Sequence, residues 1–143
     1  MLSLKDVADY VATLGVVNAD HIWIGKLQDK VEKSIGVYPM RGSGSPHAPV
    51  GGTDHDTKKI SILVHWNKNV VDAEETAFTL FNALLSSRDV TINEKRIMFN
   101  QLLVPEPVSV GTDDNGVYEY VIETEIYYEK GQVKVCQKQL KTV

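Results

Sequence analysis

The sequence predicts an α+β domain in which a mostly antiparallel sheet packs two amphipathic helices on one face. Residues 58–66 alternate apolar and polar side chains, as a half-buried strand does. Apolar side chains then recur at helical spacing over residues 73–85. Residues 117–128 alternate again, over the longest such run in the chain. Half-buried strands and one-sided helices bury their apolar faces by packing against each other.

The composition is that of an ordinary globular protein. Of 143 residues, 43% are hydrophobic and 24% are charged, and the net charge is −4. This charge argues against a general nucleic-acid-binding protein, which carries a basic stripe. No apolar run approaches the roughly 18 residues of a membrane span, and the N-terminus has no signal-peptide pattern. Cys136 is the only cysteine, so no internal disulfide bond can form. We expect maturation in a reducing cytoplasm and no membrane association.

The first helix is predicted from its capping residues. Ser3 is placed to cap the N-terminus, with Asp6 as its partner three residues on. Leu4 to Leu14 carry an apolar stripe at helical spacing, and Gly15 is a fitting C-terminal stop. These signals predict a helix from residue 4 to residue 14.

Two short strands and a long loop follow. Residues 21–25 and 34–38 are predicted strands, and the charged residues 26–33 between them are predicted as a loop or a helical turn. Residues 39–56 contain three prolines and four glycines and almost no apolar side chain. Loops longer than roughly 12–15 residues are uncommon in compact domains and tend to be functional or disordered. We interpret residues 39–56 as an arm that a partner orders.

The second half of the chain is predicted as a helix followed by antiparallel strands. Asp72 is the expected N-cap of that helix, and Glu75 is its capping-box partner. Residues 90–92 and 96–104 are predicted strands that flank a turn, and a further strand is predicted from residue 108 to residue 110.

The last predicted strand, residues 117–128, has two different faces. It follows a turn at residues 112–116 that contains an Asn-Gly pair suited to positive φ. The predicted core face carries Tyr118, Tyr120, Ile122, Thr124, Ile126 and Tyr128. The other face carries Val117, Glu119, Val121, Glu123, Glu125 and Tyr127. A row of carboxylates on a strand is most often a solvated sheet face.

We therefore predict one domain over residues 1–128, with residues 39–56 as an insertion. Residues 129–143 are predicted to form a basic C-terminal tail with lysines at 130, 134, 138 and 141. Val133 and Val135 could extend a strand there, and a frayed terminus is equally compatible with this composition.

No motif for catalysis is complete. Residues 42–47 open like a dinucleotide fingerprint but have histidine at the third glycine position and no helix after it. His65 is interpreted as a hydrogen-bonded structural residue rather than a general base. Four loop side chains could bind a metal, but sequence neighbours seldom form a stable site: His47, Asp54, His55 and Asp56. We expect no enzyme activity, no metal and no cofactor.

The order of elements resembles the tail-terminator and tail-completion proteins of long-tailed bacteriophages. The amino-acid sequences of individual segments also resemble those of minor capsid proteins of phages that infect Gram-positive hosts. The likeness is carried by residues 35–39 (Ile-Gly-Val-Tyr-Pro) with the loop after them, by residues 59–66 (Lys-Ile-Ser-Ile-Leu-Val-His-Trp) and by the helix from Asp72.

The resemblance implies a structural virion protein that assembles in the host cytoplasm. Such proteins form a homo-oligomeric ring, commonly a hexamer, on the tail tube. They bind the tail tube protein and the head–tail connector protein, and DNA passes through the lumen. In this chain the resemblance implies lumen-facing carboxylates at Glu119, Glu123 and Glu125. The implied partner-binding residues of the loop are Arg41, Ser43, Ser45, His47 and His55.

Three alternatives remain open at this point. The chain could be another head–tail adaptor or a capsid-associated protein. It could instead be a small metal-dependent enzyme that uses the loop histidines. It could also be a peptide-binding module that adds a strand at a sheet edge.

Overall fold

The computed structural model describes residues 1–25, 31–42 and 55–129. This part of the chain forms two α-helices, a short 3-10 helix at Ala19–His21 and seven strands. The α-helices are α1 (Leu4–Thr13) and α2 (Val70–Ser86). The strands are β1 (Ile22–Ile24), β2 (Ser34–Pro39), β3 (His55–His65), β4 (Val90–Ile92), β5 (Lys95–Leu102), β6 (Val108–Thr112) and β7 (Tyr118–Glu129).

The seven strands form one curled sheet in the order β1-β2-β3-β7-β5-β4. β6 also pairs with β7, beyond the end of β5 on the same side. β1 runs parallel to β2, and the other pairs are antiparallel. The predicted α+β class with a mostly antiparallel sheet is therefore confirmed. Neither helix in the described ranges has the length and apolarity needed to cross a bilayer.

The core lies against the predicted core face of β7. Four of its residues are apolar or aromatic and buried, and Thr124 between them is buried as well. Both helices contribute side chains to this core, and their placement on one face of the sheet stays a prediction that the shared core supports. The core includes Val7, Tyr10, Val11, Ile35, Val37, Ile60, Ile62, Val64, Leu80, Leu84, Ile97, Tyr120, Ile122, Ile126 and Tyr128.

The start of α1 confirms the predicted capping box. The Ser3 hydroxyl accepts from the Asp6 N–H at 3.1 Å, and the Asp6 carboxylate accepts from the Ser3 N–H at 3.0 Å. These two bonds satisfy donors that a helix N-terminus leaves unpaired. The chain leaves the helix through Gly15, whose φ of 78° is readily adopted by glycine.

The predicted start of α2 is wrong by about one turn. Asn69, not Asp72, is the N-cap, because its side chain accepts from the N–H groups of Val71 and Asp72 at 3.0 and 3.3 Å. Asp72 is the third helical residue, where a carboxylate favours the positive end of the helix dipole. The β-branched pair Val70–Val71, exposed in the structure, concealed this first turn in the sequence.

β3 begins earlier than the alternation predicted. Its first residue is His55 rather than residue 58, because His55 and Asp56 pair with Glu129 and Tyr128 at the far end of β7. That pairing is a long-range contact, so the local sequence carried no signal for it. β2 also includes Pro39. Most of the predicted loop 39–56 lies outside the described residues, and its last two residues are strand.

The β4–β5 hairpin is confirmed with a tighter turn than predicted. Asn93 and Glu94 have φ of 49° and 68°, which is the type I′ pattern that matches strand twist. β5 ends at Leu102 rather than at residue 104.

The turn before β7 is also confirmed, with Gly116 at φ 81°. The Asp113 carboxylate accepts from the N–H groups of Asn115 and Val117, each at 2.9 Å. Val117, predicted on the carboxylate face, instead precedes the strand and is buried. β7 then continues to Glu129, one residue further than predicted.

Candidate interaction surface

The three carboxylates predicted to face a lumen lie on one side of β7. Glu119, Glu123 and Glu125 are each half-buried and alternate with the buried core residues. We call this side of the sheet the outer face. The register places on it Thr57, Lys59, Ser61 and Leu63 of β3, Phe99 and Gln101 of β5, Val108 of β6, and Glu119, Val121, Glu123, Glu125 and Tyr127 of β7.

The outer face is mixed rather than uniformly acidic. Glu125 lies between Lys59 on β3 and Gln101 on β5, so a cation and an amide flank it. Val121, between Glu119 and Glu123, has Leu63 on one side and Val108 on the other. Directly opposed side chains on a sheet face are close enough to interact. An apolar row therefore separates Glu119 from the other two carboxylates.

Glu119 is held by a buried histidine. Its Oε2 lies 2.9 Å from Nδ1 of His65, whose side chain is only 2% exposed. The other ring nitrogen, Nε2, has no hydrogen-bond partner among the described residues and lies 3.8 Å from the Asp113 carboxylate. The predicted hydrogen bonding of His65 is confirmed. The Glu119 carboxylate is therefore occupied by a contact within the subunit. Its negative charge is less available to a partner than that of Glu123.

The pKa of Asp113 is lowered, and the main cause is the hydrogen bond from the Val117 N–H. Burial opposes the effect, while the hydrogen bond from the Asn115 N–H and the nearby His65 and Lys68 side chains add to it. Asp113 thus stays ionised beside His65 and keeps the end of the sheet next to β6 acidic.

An aromatic pair on the outer face escaped the sequence analysis. The rings of Phe99 and Tyr127 stack with centroids 4.5 Å apart and planes 12° from parallel. The Tyr127 hydroxyl donates to the Gln101 side chain at 3.0 Å. The register of β5 shifts between Ile97 and Phe99, which turns Phe99 outward and leaves it 38% exposed. A β-bulge has this effect, and alternation alone does not reveal it.

β6 is the most exposed strand of the sheet. All five of its residues are exposed, with Val108 at 45% and Val110 at 52%. Its one pairing partner in the described ranges is β7. The opposite edge of β6 therefore presents backbone donors and acceptors together with two exposed valines.

The predicted partner-binding residues of the loop are described only in part. Arg41 is exposed just after β2, and His55 is exposed at the start of β3, with its Nε2 3.9 Å from Glu129. Ser43, Ser45 and His47 lie outside the described residues. The predicted partner-binding role of the loop therefore stays a prediction.

The metal hypothesis also extends beyond the described residues. Within residues 1–25, 31–42 and 55–129, no group of three His, Cys, Asp or Glu side chains could hold a metal ion. His47 and Asp54, two of the four candidate ligands, fall in the gap between these ranges.

The sequence matches the model of a known protein family. A family model described as bacteriophage tail terminator protein matches residues 10–130, which includes every strand of the sheet. The chain belongs to the bacteriophage tail terminator family. A search of curated proteins found no match to this tail terminator.

Family membership confirms the resemblance to tail terminators and sets the broad role. A tail terminator is a component of the phage virion. Because the family is a structural one, membership suggests that this tail terminator is not an enzyme. The outer face and the β6 edge are then candidate surfaces for assembly.

Proposed function

We propose that this tail terminator forms a closed ring of identical subunits, six in number, on the end of the tail tube. The ring stops tube growth and offers its other surface to the head–tail connector protein. It assembles in the host cytoplasm before it becomes part of the virion. The observation that carries this proposal is the family match over residues 10–130.

A ring requires a subunit with two different contact surfaces. Head-to-tail contacts between unlike surfaces close into a ring when the rotation per subunit allows it. The exposed edge of β6 and the outer face near Phe99 lie toward opposite ends of β7, because β6 pairs with residues 118–121 and Phe99 with Tyr127. This separation supports a head-to-tail arrangement.

Light scattering and negative-stain imaging test the ring. In light scattering, the purified protein is expected to have six times the mass of the 15.9 kDa chain. In negative-stain images of the protein mixed with purified tail tubes, we expect rings on the tube ends. Protein that remains monomeric in solution and absent from tube ends would contradict the proposal.

We further propose that Glu123 and Glu125 face the lumen through which DNA passes. Carboxylates there repel DNA phosphates and keep the genome from adhering to the wall. Glu119 is left out of the test because its replacement would leave His65 without its hydrogen-bond partner.

Charge reversal tests the lumen assignment. Replacing Glu123→Lys is expected to leave ring and particle assembly intact and to reduce infectivity about tenfold or more, because lysine binds DNA phosphates. Glu125 is kept, because a lysine there would lie opposite Lys59. The matched control is Glu74→Lys, at an exposed position of α2. Equal infectivity of the two variants would show that Glu123 does not face DNA.

A further inference from the structure

We propose that residues 130–143 of one subunit dock on the neighbouring subunit and add a strand to its sheet, along the edge of β6 that faces away from β7. This inference rests on the proposed ring, and it names the contact that joins adjacent subunits.

The acceptor is an edge strand without charged side chains. Proteins guard exposed edges with charges, prolines, bulges or short strands. β6 is short and shifts register between Ser109 and Gly111, but its sequence, Val-Ser-Val-Gly-Thr, contains neither a charge nor a proline. Its valines at 108 and 110 are about half exposed, and its outer edge has no partner among the described residues. An edge of this kind gains backbone hydrogen bonds and apolar contact from an added strand.

The surroundings of β6 are acidic. Glu106 precedes the strand, Asp113 and Asp114 follow it, and Glu119 is paired with Gly111 within it. Lys68 supplies positive charge near Asp113. The net charge at this end of the sheet is negative, which favours a basic partner.

The donor segment has complementary charge and the period of a strand. Residues 130–143 contain four lysines and no acidic residue. Val133 and Val135 share one parity, and Lys134 and Cys136 share the other. This alternation lets one side of the segment contact the valines on the edge, and the four lysines complement the negative charge around β6.

The direction of the chain favours a neighbour over the same subunit. The segment leaves β7 after Glu129, whereas Ser109 of β6 pairs with Tyr120, nine residues earlier and about 30 Å away along the strand. Cys136 is seven residues beyond Glu129, so it reaches at most about 25 Å back. The β6 of the next subunit requires no such reversal. Because donor and acceptor are different surfaces, the contact repeats head to tail.

The single cysteine of the chain provides the test. One chain keeps Cys136, and a second chain carries Ser109→Cys with Cys136→Ser and an affinity tag. The two are mixed, assembled and mildly oxidised, and the disulfide-linked peptides are identified by mass spectrometry. The matched control replaces Ser109→Cys by Thr79→Cys at an exposed position of α2.

We expect the disulfide between Cys136 of one chain and the cysteine introduced at position 109 of the other to form in several-fold higher yield than the control link. Equal yields would overturn the docking. A third chain carries Ser109→Cys and retains Cys136. A disulfide that forms within this chain, while the two mixed chains give no link, would also overturn the docking, because it would show the segment folding on its own subunit.

A second variant separates failure of the docking from failure of the ring. Replacing Val133→Asp and Val135→Asp is expected to dissociate the rings at concentrations where the wild type remains assembled. The control adds the same charges at exposed positions of α2, Thr79→Asp and Asn82→Asp. If the wild type forms rings and the two variants form rings of equal stability, the docking is refuted but the proposed ring is not. A wild type that forms no ring refutes both.

Discussion

Asp6 shows how one buried carboxylate can join distant parts of this chain. Besides closing the capping box of α1, it accepts hydrogen bonds from Asn93 at 2.7 Å and from the Lys95 ammonium at 2.8 Å. Both partners belong to the β4–β5 hairpin, nearly ninety residues away. Burial raises the pKa of the Asp6 carboxyl, but the bonds from Lys95, Ser3 and Asn93 outweigh it and hold the pKa well below its usual value.

A pH dependence of stability follows from Asp6. Because its pKa is lower in the folded than in the unfolded chain, its ionisation stabilises the fold above the unfolded pKa, about 4, and this contribution is lost as the pH falls below that value. We expect Asp6→Asn to lower the free energy of unfolding by about 1–3 kcal/mol at pH 7. The difference from wild type should shrink between about pH 5 and pH 2, as measured by urea denaturation.

Asp20→Asn, at an exposed position, is the control for this measurement. A difference between wild type and Asp6→Asn that stays constant across the acid range would show that Asp6 acts by shape alone.

Asn100 marks a limit of sequence reasoning at the residue scale. It is buried, donates to the Tyr10 hydroxyl at 2.7 Å and to the Leu84 carbonyl at 3.1 Å, and accepts from Thr124 at 3.3 Å. This network connects α1, α2, β5 and β7 in the core. A lone asparagine in a strand pattern gives no sign of such burial, because its partners come from three other segments of the chain.

At the scale of elements, the sequence of the β4–β5 turn suits the backbone conformation at only one of its two central positions. Asparagine tolerates the positive φ of residue 93, whereas glutamate at residue 94 adopts φ 68° against its preference. Glycine at the second position would remove that cost and would lose part of the gain to the greater freedom of the unfolded chain.

We expect Glu94→Gly to stabilise the protein by about 0.5–1 kcal/mol, or about 2 °C in Tm. Glu94→Ala removes the same exposed side chain without relieving the backbone and serves as the control. Calorimetry that finds the glycine variant no more stable than the alanine variant would contradict the assigned turn strain.

Elements specified by nearby residues were predictable, and those specified by distant ones were not. Ser3 and Asp6 lie three residues apart, so the start of α1 could be found from sequence. The first residues of β3 depend on the end of β7, and the outward turn of Phe99 depends on a bulge against the same strand. Neither feature leaves a local periodic signal.

At the scale of the whole molecule, β7 organises the sheet. It pairs with β3 along one side and with β5 and β6 along the other. The sequence analysis identified its carboxylate face but not the apolar row of Leu63, Val121 and Val108 that crosses it, because the order of strands was unknown. A face that mixes charged and apolar side chains suits a subunit built for assembly.

The length of the tails in particles assembled without this protein tests the proposed role most directly. If the ring stops tube growth, electron micrographs of the deletion phage should show overlong tails, and the wild-type gene supplied in trans should restore a single length. Tails of normal length accompanied by filled heads without attached tails would contradict the terminator role and assign the protein to the head side of the junction.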